Sequence, residues 1–310
     1  MTSERDSLRD NQPIYLYCLV RSEDDQPFAA DPLKTHGIGG NGCPVYTVHF
    51  EDLAFVVSDC NDVSYDPTRE NTICHQRVIE EVMDRGFGPL PVRFGTIATG
   101  SGVNATEQRL RKVLKRRFGE FQGLLRDMED KVEVGLKVFW KKARLFDDIV
   151  SEYRQVKMLR DRVASRPSSG LAWRDERIQL GTMVNNAIED KRNREAPLLI
   201  RRLCSVAYDY KTNKIMTDTM VLNGAFLVYK ERLPEFDATV NELDEMYGDR
   251  MKFNYVGCLP PFNFIELVIH WNEEEEWAPP GRSSAPWLNK KSDRLQSSSS
   301  SFASTAGERA

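Results

Sequence analysis

The sequence predicts an α+β protein with two related domains and a tail that lacks a fold. Apolar residues alternate in some segments and recur every three or four positions in others, so both strands and amphipathic helices are expected. The pattern starts over near residue 127, which indicates a second unit built like the first. After residue 272 the chain turns to acidic, proline and serine runs that cannot bury apolar surface. We therefore predict an unstructured N-terminus (1–12), domains at 13–127 and 128–272, and a disordered tail (273–310).

The composition is that of a globular protein that works in the cytoplasm. A chain of 310 residues suits two domains, and 40% hydrophobic with 29% charged residues is ordinary. The net charge of −4 creates no basic field for nucleic acid, and the longest apolar runs are too short to cross a lipid membrane. The six cysteines form no CxxC pair and the four histidines are scattered. We expect no metal, no cofactor and free cysteines.

The first domain begins with a strand at 14–20 that is apolar on both faces and should lie centrally in a sheet. A tight hairpin follows, formed by Val45–Phe50 and Leu53–Asp59. A helix is expected from Asp66-Pro67 to Gly86, with an apolar stripe along one side. The literal GxGxxG at 37–42 lacks the strand before it and the helix after it that a nucleotide site needs, so it predicts a loop.

Two polar residues stand out in the first domain. His75 lies on the apolar side of its helix, and a hydrogen-bonded core histidine is a more natural interpretation than a general base without a partner. Arg93 lies inside a predicted buried strand, 91–97. Its guanidinium needs an ion pair or backbone carbonyls there, unless it contacts an anion or a partner protein.

The last predicted helix of this domain begins near Asn104, with Glu107 placed as in a capping box, and runs past Leu125. One face is basic, which indicates a solvated surface or a docking surface for an acidic partner.

The second domain opens with an alternating strand at 132–140. A helix at 141–166 and another from about Trp173 should form an antiparallel hairpin, with Pro197 kinking or restarting the second helix. Further strands are predicted at 205–210, 219–229, 252–257 and 264–271, with a helix opened by Pro234 after the second of them. The order β, α, β, β, α, β is ferredoxin-like, and the first domain follows the same plan with its first helix reduced to a loop.

No motif in the chain carries an obvious reaction. The sequence has no P-loop, no nucleophile elbow and no carboxylate pair with a reason to be close. Glu266 and His270 share one face of the last predicted strand, which fits either a small polar site or a solvent-facing strand end. We therefore expect a protein that is not an enzyme.

Six short motifs in a fixed order resemble the GvpF/GvpL family of gas vesicle proteins. They are Tyr15-Leu16-Tyr17, His75-Gln76-Arg77-Val78, Leu90-Pro91-Val92-Arg93-Phe94-Gly95-Thr96, Val132-Glu133-Val134, Asn223-Gly224-Ala225-Phe226-Leu227-Val228 and Pro260-Pro261-Phe262-Asn263-Phe264. The resemblance extends over about residues 13–271. Cys258 and Phe262 stand where the family pattern has Pro and Tyr, and whether the chain is nearer the F or the L branch stays open.

The resemblance implies two α+β domains of ferredoxin-like character and a non-enzymatic role in building gas vesicles. It implies as partners the main shell protein, GvpA, and other accessory proteins. The alternative is a ferredoxin-like module that senses a small ligand. Eight residues of the motifs are structural or interaction candidates: His75, Arg93, Phe94, Phe226, Pro260, Pro261, Asn263 and Phe264.

Overall fold

The computed structural model describes residues 12–23, 27–28, 31–39, 42–165 and 171–271. Residues up to Ile269 belong to one compact unit, and a second unit begins at His270. The predicted unstructured N-terminus before Gln12 and the predicted disordered tail lie outside the described residues. Gly40 and Asn41 of the GxGxxG segment also lie outside them, and the described part of that segment is a loop.

The N-terminal half (residues 12–128) is built on an antiparallel sheet. Its strands are β1 (Ile14–Arg21), β2 (Val45–Phe50), β3 (Leu53–Asp59), β4 (Leu90–Pro91) and β5 (Ile97–Ala98). The order is β2-β3-β1-β4, and β5 also pairs with β1. The central strand β1 is buried along nearly its whole length, as its continuous apolar run predicts. The β2–β3 hairpin turns through Glu51, at φ +54°.

The first helix of this half follows its predicted pattern closely. Helix α1 (Arg69–Asp84) begins after Thr68, whose side-chain oxygen accepts a hydrogen bond from the Asn71 amide. Its apolar stripe, which includes Val78, Ile79 and Val82, is buried in the N-terminal core.

The single helix expected from Asn104 is instead two helices, α2 (Ala105–Arg116) and α3 (Phe118–Met128). The predicted capping box does not form, because Asn104 adopts a left-handed conformation and its side chain makes no capping hydrogen bond. The break falls at Arg117, whose backbone leaves helical geometry while its guanidinium binds Glu120 and the Val268 carbonyl.

The stretch around Arg93 is not the continuous buried strand that the sequence suggested. Only its ends pair with β1, as β4 and β5. Between them the chain makes a turn in which Gly95 adopts φ +77°, a conformation that glycine tolerates best. The amide and hydroxyl of Thr96 donate to the Arg93 carbonyl at 3.2 and 2.6 Å. The turn exposes Arg93, so its guanidinium is not buried.

The C-terminal half (residues 131–259) contains a second antiparallel sheet. Its strands are β6 (Lys131–Trp140), β7 (Asp209–Thr212), β8 (Met220–Tyr229) and β9 (Met251–Leu259), in the order β7-β8-β6-β9. The short strand predicted at 205–210 is displaced to β7. The strand predicted at 264–271 is absent, since those residues are assigned no strand and make a single bridge.

Helices pack on one face of the second sheet. They are α4 (Lys142–Glu152), α5 (Arg154–Ala164), α6 (Leu171–Leu203) and α7 (Leu233–Tyr247). The helix predicted at 141–166 is divided at Tyr153, whose φ of −109° and ψ of 87° are not helical. Helix α6 continues through Pro197 without restarting. Burial of Leu199 and Leu203 in the core holds the last turns despite the lost hydrogen bond.

The two halves therefore share one strand order. In each, the second and third strands form one side of the sheet, the first strand is internal and the fourth pairs with the first. None of the described helices is both long enough and apolar enough to cross a membrane.

Candidate functional site

A segment that leaves β9 crosses from the second sheet to the first, and we call residues 260–269 the crossing segment. It begins with a tight turn in which the amides of Phe264 and Ile265 donate to the Pro261 carbonyl, at 3.0 and 2.9 Å. It then lies beside β4. The Leu267 amide donates to the Pro91 carbonyl at 2.8 Å, and the Arg93 amide donates to the Leu267 carbonyl at 2.9 Å. The crossing segment thus extends the first sheet at its β4 edge.

A buried carboxylate fixes the crossing segment to the second sheet. Glu133 of β6 is 2% exposed, and both of its oxygens accept hydrogen bonds from Asn263. The Asn263 backbone amide donates at 2.7 Å and its side-chain amide at 2.6 Å. Burial raises the pKa of Glu133, while these hydrogen bonds and the nearby Lys211 act in the opposite direction. Asn263 therefore supplies hydrogen bonds to both oxygens of a buried acid.

An exposed ion pair fixes the crossing segment to the first sheet. The Arg93 guanidinium donates through Nε and a terminal nitrogen to one oxygen of Glu266, at 2.9 and 2.8 Å. Both side chains are 53% exposed, so water screens the attraction. The pair therefore adds little free energy to the two backbone hydrogen bonds that hold the segment beside β4.

His75 and Tyr15 support the turn around Arg93 from inside the N-terminal core. The Tyr15 hydroxyl accepts a hydrogen bond from the Gly95 amide and contacts His75 Nδ1, both at 3.0 Å. The His75 ring also hydrogen-bonds the Val92 backbone. Burial lowers the pKa of His75 from 6.5 to about 4, so the imidazole is neutral at physiological pH. Its environment is that of a core residue and not of a base with a nucleophile beside it.

Seven of the eight candidates meet around the crossing segment. They are His75, Arg93, Phe94, Pro260, Pro261, Asn263 and Phe264. Phe94 packs against the His75 ring at 5.6 Å, and the Phe264 ring lies 5.5 Å from Lys211 Nζ. Phe226 is not part of this group, because it lies in the C-terminal core with its ring 5.4 Å from that of Phe236.

Sequence reasoning missed Glu133, whose place in an alternating strand gave no sign of burial. It also missed a second charged cluster, centred on Lys191 of α6. The Lys191 ammonium is 1% exposed and contacts carboxylates of Asp148 and Glu152 in α4 and Glu195 in α6, at 2.9–3.2 Å. Burial alone would lower the pKa of Lys191, but these carboxylates raise it above its ordinary value.

The Lys191 cluster is a structural feature of the helical layer. The Trp140 indole and Arg250 both donate to Glu195, which ties α6 to the end of the sheet where β6 ends and β9 begins. Among the described residues there is no group of three or more histidine, cysteine or acidic side chains arranged to hold a metal ion.

Comparisons with known proteins agree on one family. Residues 13–266 match the family model described as gas vesicle synthesis protein GvpL/GvpF. Gas vesicle protein F of Dolichospermum flosaquae is 24% identical over 256 residues, which is 82% of this chain and 98% of that protein. Gas vesicle protein L1 of Halobacterium salinarum is 24% identical over 264 residues, covering 81% of this chain and 89% of that one.

Two solved structures have a similar fold. The crystal structure of GvpF from Anabaena sp. PCC7120 aligns with a TM-score of 0.64 at 22% identity, covering 84% of this chain and all of that one. That of GvpF from Microcystis aeruginosa aligns with a TM-score of 0.60 at 25% identity, covering 82% and 99%.

Proposed function

Because the chain belongs to the GvpF/GvpL family of gas vesicle proteins, we propose that it is an accessory protein that binds the main shell protein, GvpA, and supports vesicle assembly. The family match over residues 13–266 is the observation that carries this proposal. Other accessory proteins are its further partners, and it works in the cytoplasm in association with gas vesicles. It acts by binding and not by catalysis.

We also assign the two halves to two ferredoxin-like domains, at 13–127 and 128–272. The shared strand order with antiparallel neighbours supports this assignment, because it is the order that a βαββαβ unit adopts. In the first domain the first helix is replaced by a loop.

A physical reason for such a partner lies in the task of a shell protein. A subunit that lines a gas space exposes a large apolar surface, and this surface aggregates before assembly. A soluble protein with exposed apolar side chains can cover it. This chain has such side chains on its helical layer, where Met158 is 55% and Ile178 is 62% exposed. Two more, Tyr255 and Val256, are exposed on β9.

Residues around the crossing segment contribute to binding indirectly. Asn263, His75 and Tyr15 use their polar groups on contacts inside the protein. A partner therefore binds to surfaces that this framework positions, and not to the framework itself.

The test is affinity purification of the tagged full-length chain from cells that also produce GvpA. We expect GvpA to be retained, with an unrelated tagged protein of similar net charge as the control. Absence of GvpA from the purified fraction, with and without the other accessory proteins present, would contradict the proposal. Strong thermal stabilisation by an amino acid or nucleotide would instead favour the ligand-sensing alternative.

A further inference from the structure

The outer edges of the fourth strands differ between the two sheets. In the first sheet, the outer side of the β4 region is occupied by the crossing segment, through the Val92–Leu267 bridge. In the second sheet, β9 holds the same place in the strand order, but no strand in the described part of the chain pairs with its outer side. The molecule therefore adds a segment to one of two equivalent edges and leaves the other unpaired.

The open edge of β9 has features that favour pairing. It is nine residues long, and the residues at 254–258 are all exposed. That stretch carries no charge, and it includes Tyr255 and Val256. Natural sheets usually protect such an edge with charged residues or proline, since its free backbone groups can pair with another chain. Here the only irregularity is a bulge at Gly257, where the register with β6 shifts.

The charges beside this edge differ between the two faces of the sheet. On the helical face, α7 places Asp237 against β9, where the Tyr255 hydroxyl donates to its carboxylate. Asp244 lies seven residues further on, which is two helical turns, and so faces the same way. On the opposite face, Lys137 and Lys252 are exposed. A strand added to β9 would meet acids on one face and lysines on the other.

These charges indicate what kind of strand could pair with the outer edge of β9. A second copy of this chain, pairing β9 with β9, would bring two acidic α7 helices side by side and is disfavoured by like-charge repulsion. We propose that β9 receives an extended segment of a partner protein by strand addition. That segment has apolar residues at its centre, basic side chains on the face toward α7 and acidic or polar side chains on the other.

This inference rests on the proposed function and adds to it the place at which the partner binds. Its test uses two single variants of the full-length chain, each purified with GvpA as above. Val256→Lys places a charge at a strand position that is 43% exposed. Native proteins use lysine in this way to prevent edge strands from pairing. Asp244→Lys reverses an acid beside the edge. We expect at least a tenfold loss of retained GvpA in both.

The matched control is Glu242→Lys, which makes the same charge change on the same helix but on the flank toward α6. Glu242 pairs there with Arg202, and both are more than half exposed, so the loss of this pair costs little stability. The control should retain GvpA at the wild-type level. Circular dichroism and thermal unfolding of each variant alone confirm that it folds.

Hydrogen exchange gives a second readout that needs no variant. In the co-purified complex, backbone amides at 252–258 should exchange more slowly than in the free chain. If wild type, Val256→Lys and Asp244→Lys all retain GvpA equally and these amides gain no protection, the β9 site is wrong although the proposed function stands. If wild type retains no GvpA, the proposed function fails, and this inference fails with it. A concentration-dependent dimer abolished by Val256→Lys would favour self-association and overturn the proposal.

Discussion

The two sheets of this protein have the same strand order and differ most at the fourth strand of each half. The strand β4 has two residues and is followed by a turn, and the crossing segment then lies along it. The strand β9 has nine residues and an open outer side. Strand order alone therefore does not decide whether an edge is closed. That outcome depends on where a later piece of the chain can be anchored.

The layers outside the sheets differ as well. In the second half, α4, α5 and α6 connect the first two strands, and the buried ammonium of Lys191 joins α6 to α4. In the first half, a loop takes this place and is held to α1. Glu81 accepts hydrogen bonds from the amides of Lys34 and Thr35, and Arg85 donates to the carbonyls of Asp31 and Pro32. Where the second half has three helices, the first half thus has a loop held in place by a few side-chain contacts.

The largest effect is expected in the helical layer. Lys191→Met removes the cation between three carboxylates and leaves them to repel one another in a poorly hydrated site, which should cost about 3–5 kcal/mol of unfolding free energy. Urea unfolding followed by circular dichroism measures the loss. Arg194→Met is the control, because Arg194 binds the same Glu152 from a position that is 60% exposed. Its cost should be about 0–1 kcal/mol. Equal losses in the two variants would show that burial of Lys191 is unimportant.

A second prediction concerns the first half, where the buried His75 should make the free energy of unfolding depend on pH. Because the pKa of His75 is about 4 in the folded protein and 6.5 when unfolded, the unfolded chain takes up a proton first as pH falls. Stability should therefore be complete above pH 6.5 and decline by about 3 kcal/mol as pH drops to 4. His75→Gln should flatten this part of the curve, whereas His270→Gln, at an exposed position, should not. An unchanged slope in His75→Gln would contradict the assignment.

A third prediction concerns the β4 edge of the first sheet, which the crossing segment covers. Asn263→Ala removes the side-chain donor to Glu133 and should cost about 1–3 kcal/mol, since a buried acid loses a hydrogen bond. Hydrogen exchange of the Arg93 and Leu267 amides, which bond across this edge, should become faster because the crossing segment loses an anchor. Asn254→Ala, on the exposed part of β9, is the control and should change neither quantity. Unchanged exchange of the Arg93 and Leu267 amides would mean that the segment is held without the Asn263 side-chain bond to Glu133.

The smallest effect is expected at the exposed ion pair. Arg93→Ala should cost about 0–1 kcal/mol, because water already solvates both partners. A double-mutant cycle with Glu266→Ala measures the coupling. If the Arg93 variant folds normally but retains less GvpA, the ion pair also contributes to binding.

Local patterns predicted the elements whose neighbours are near in sequence or whose burial is complete. The apolar run of β1, the β2–β3 hairpin and the stripe of α1 are examples. The helix breaks at Arg117 and Tyr153 were missed because the apolar spacing continues across them. The turn at Gly95 was missed for the same reason.

The contacts of the candidate site depend on partners that are far away in the sequence. Asn263 binds an acid 130 positions earlier, and the motif residues alone could not reveal this pairing. The resemblance to a family supplied eight candidate residues, and the fold shows that seven of them lie together while Phe226 belongs to another core.

The crossing segment also sets an order of events during synthesis. Arg93 and Glu266 are 173 positions apart, so translation at about 5–20 residues per second separates their emergence by roughly 9–35 s. During that interval the first sheet has its five strands but lacks the crossing segment, which bridges to it through Leu267. A nascent chain thus presents a free β4 edge to chaperones or partners until the crossing segment leaves the ribosome. Slowing translation late in the message would lengthen this exposure, and speeding it would shorten it.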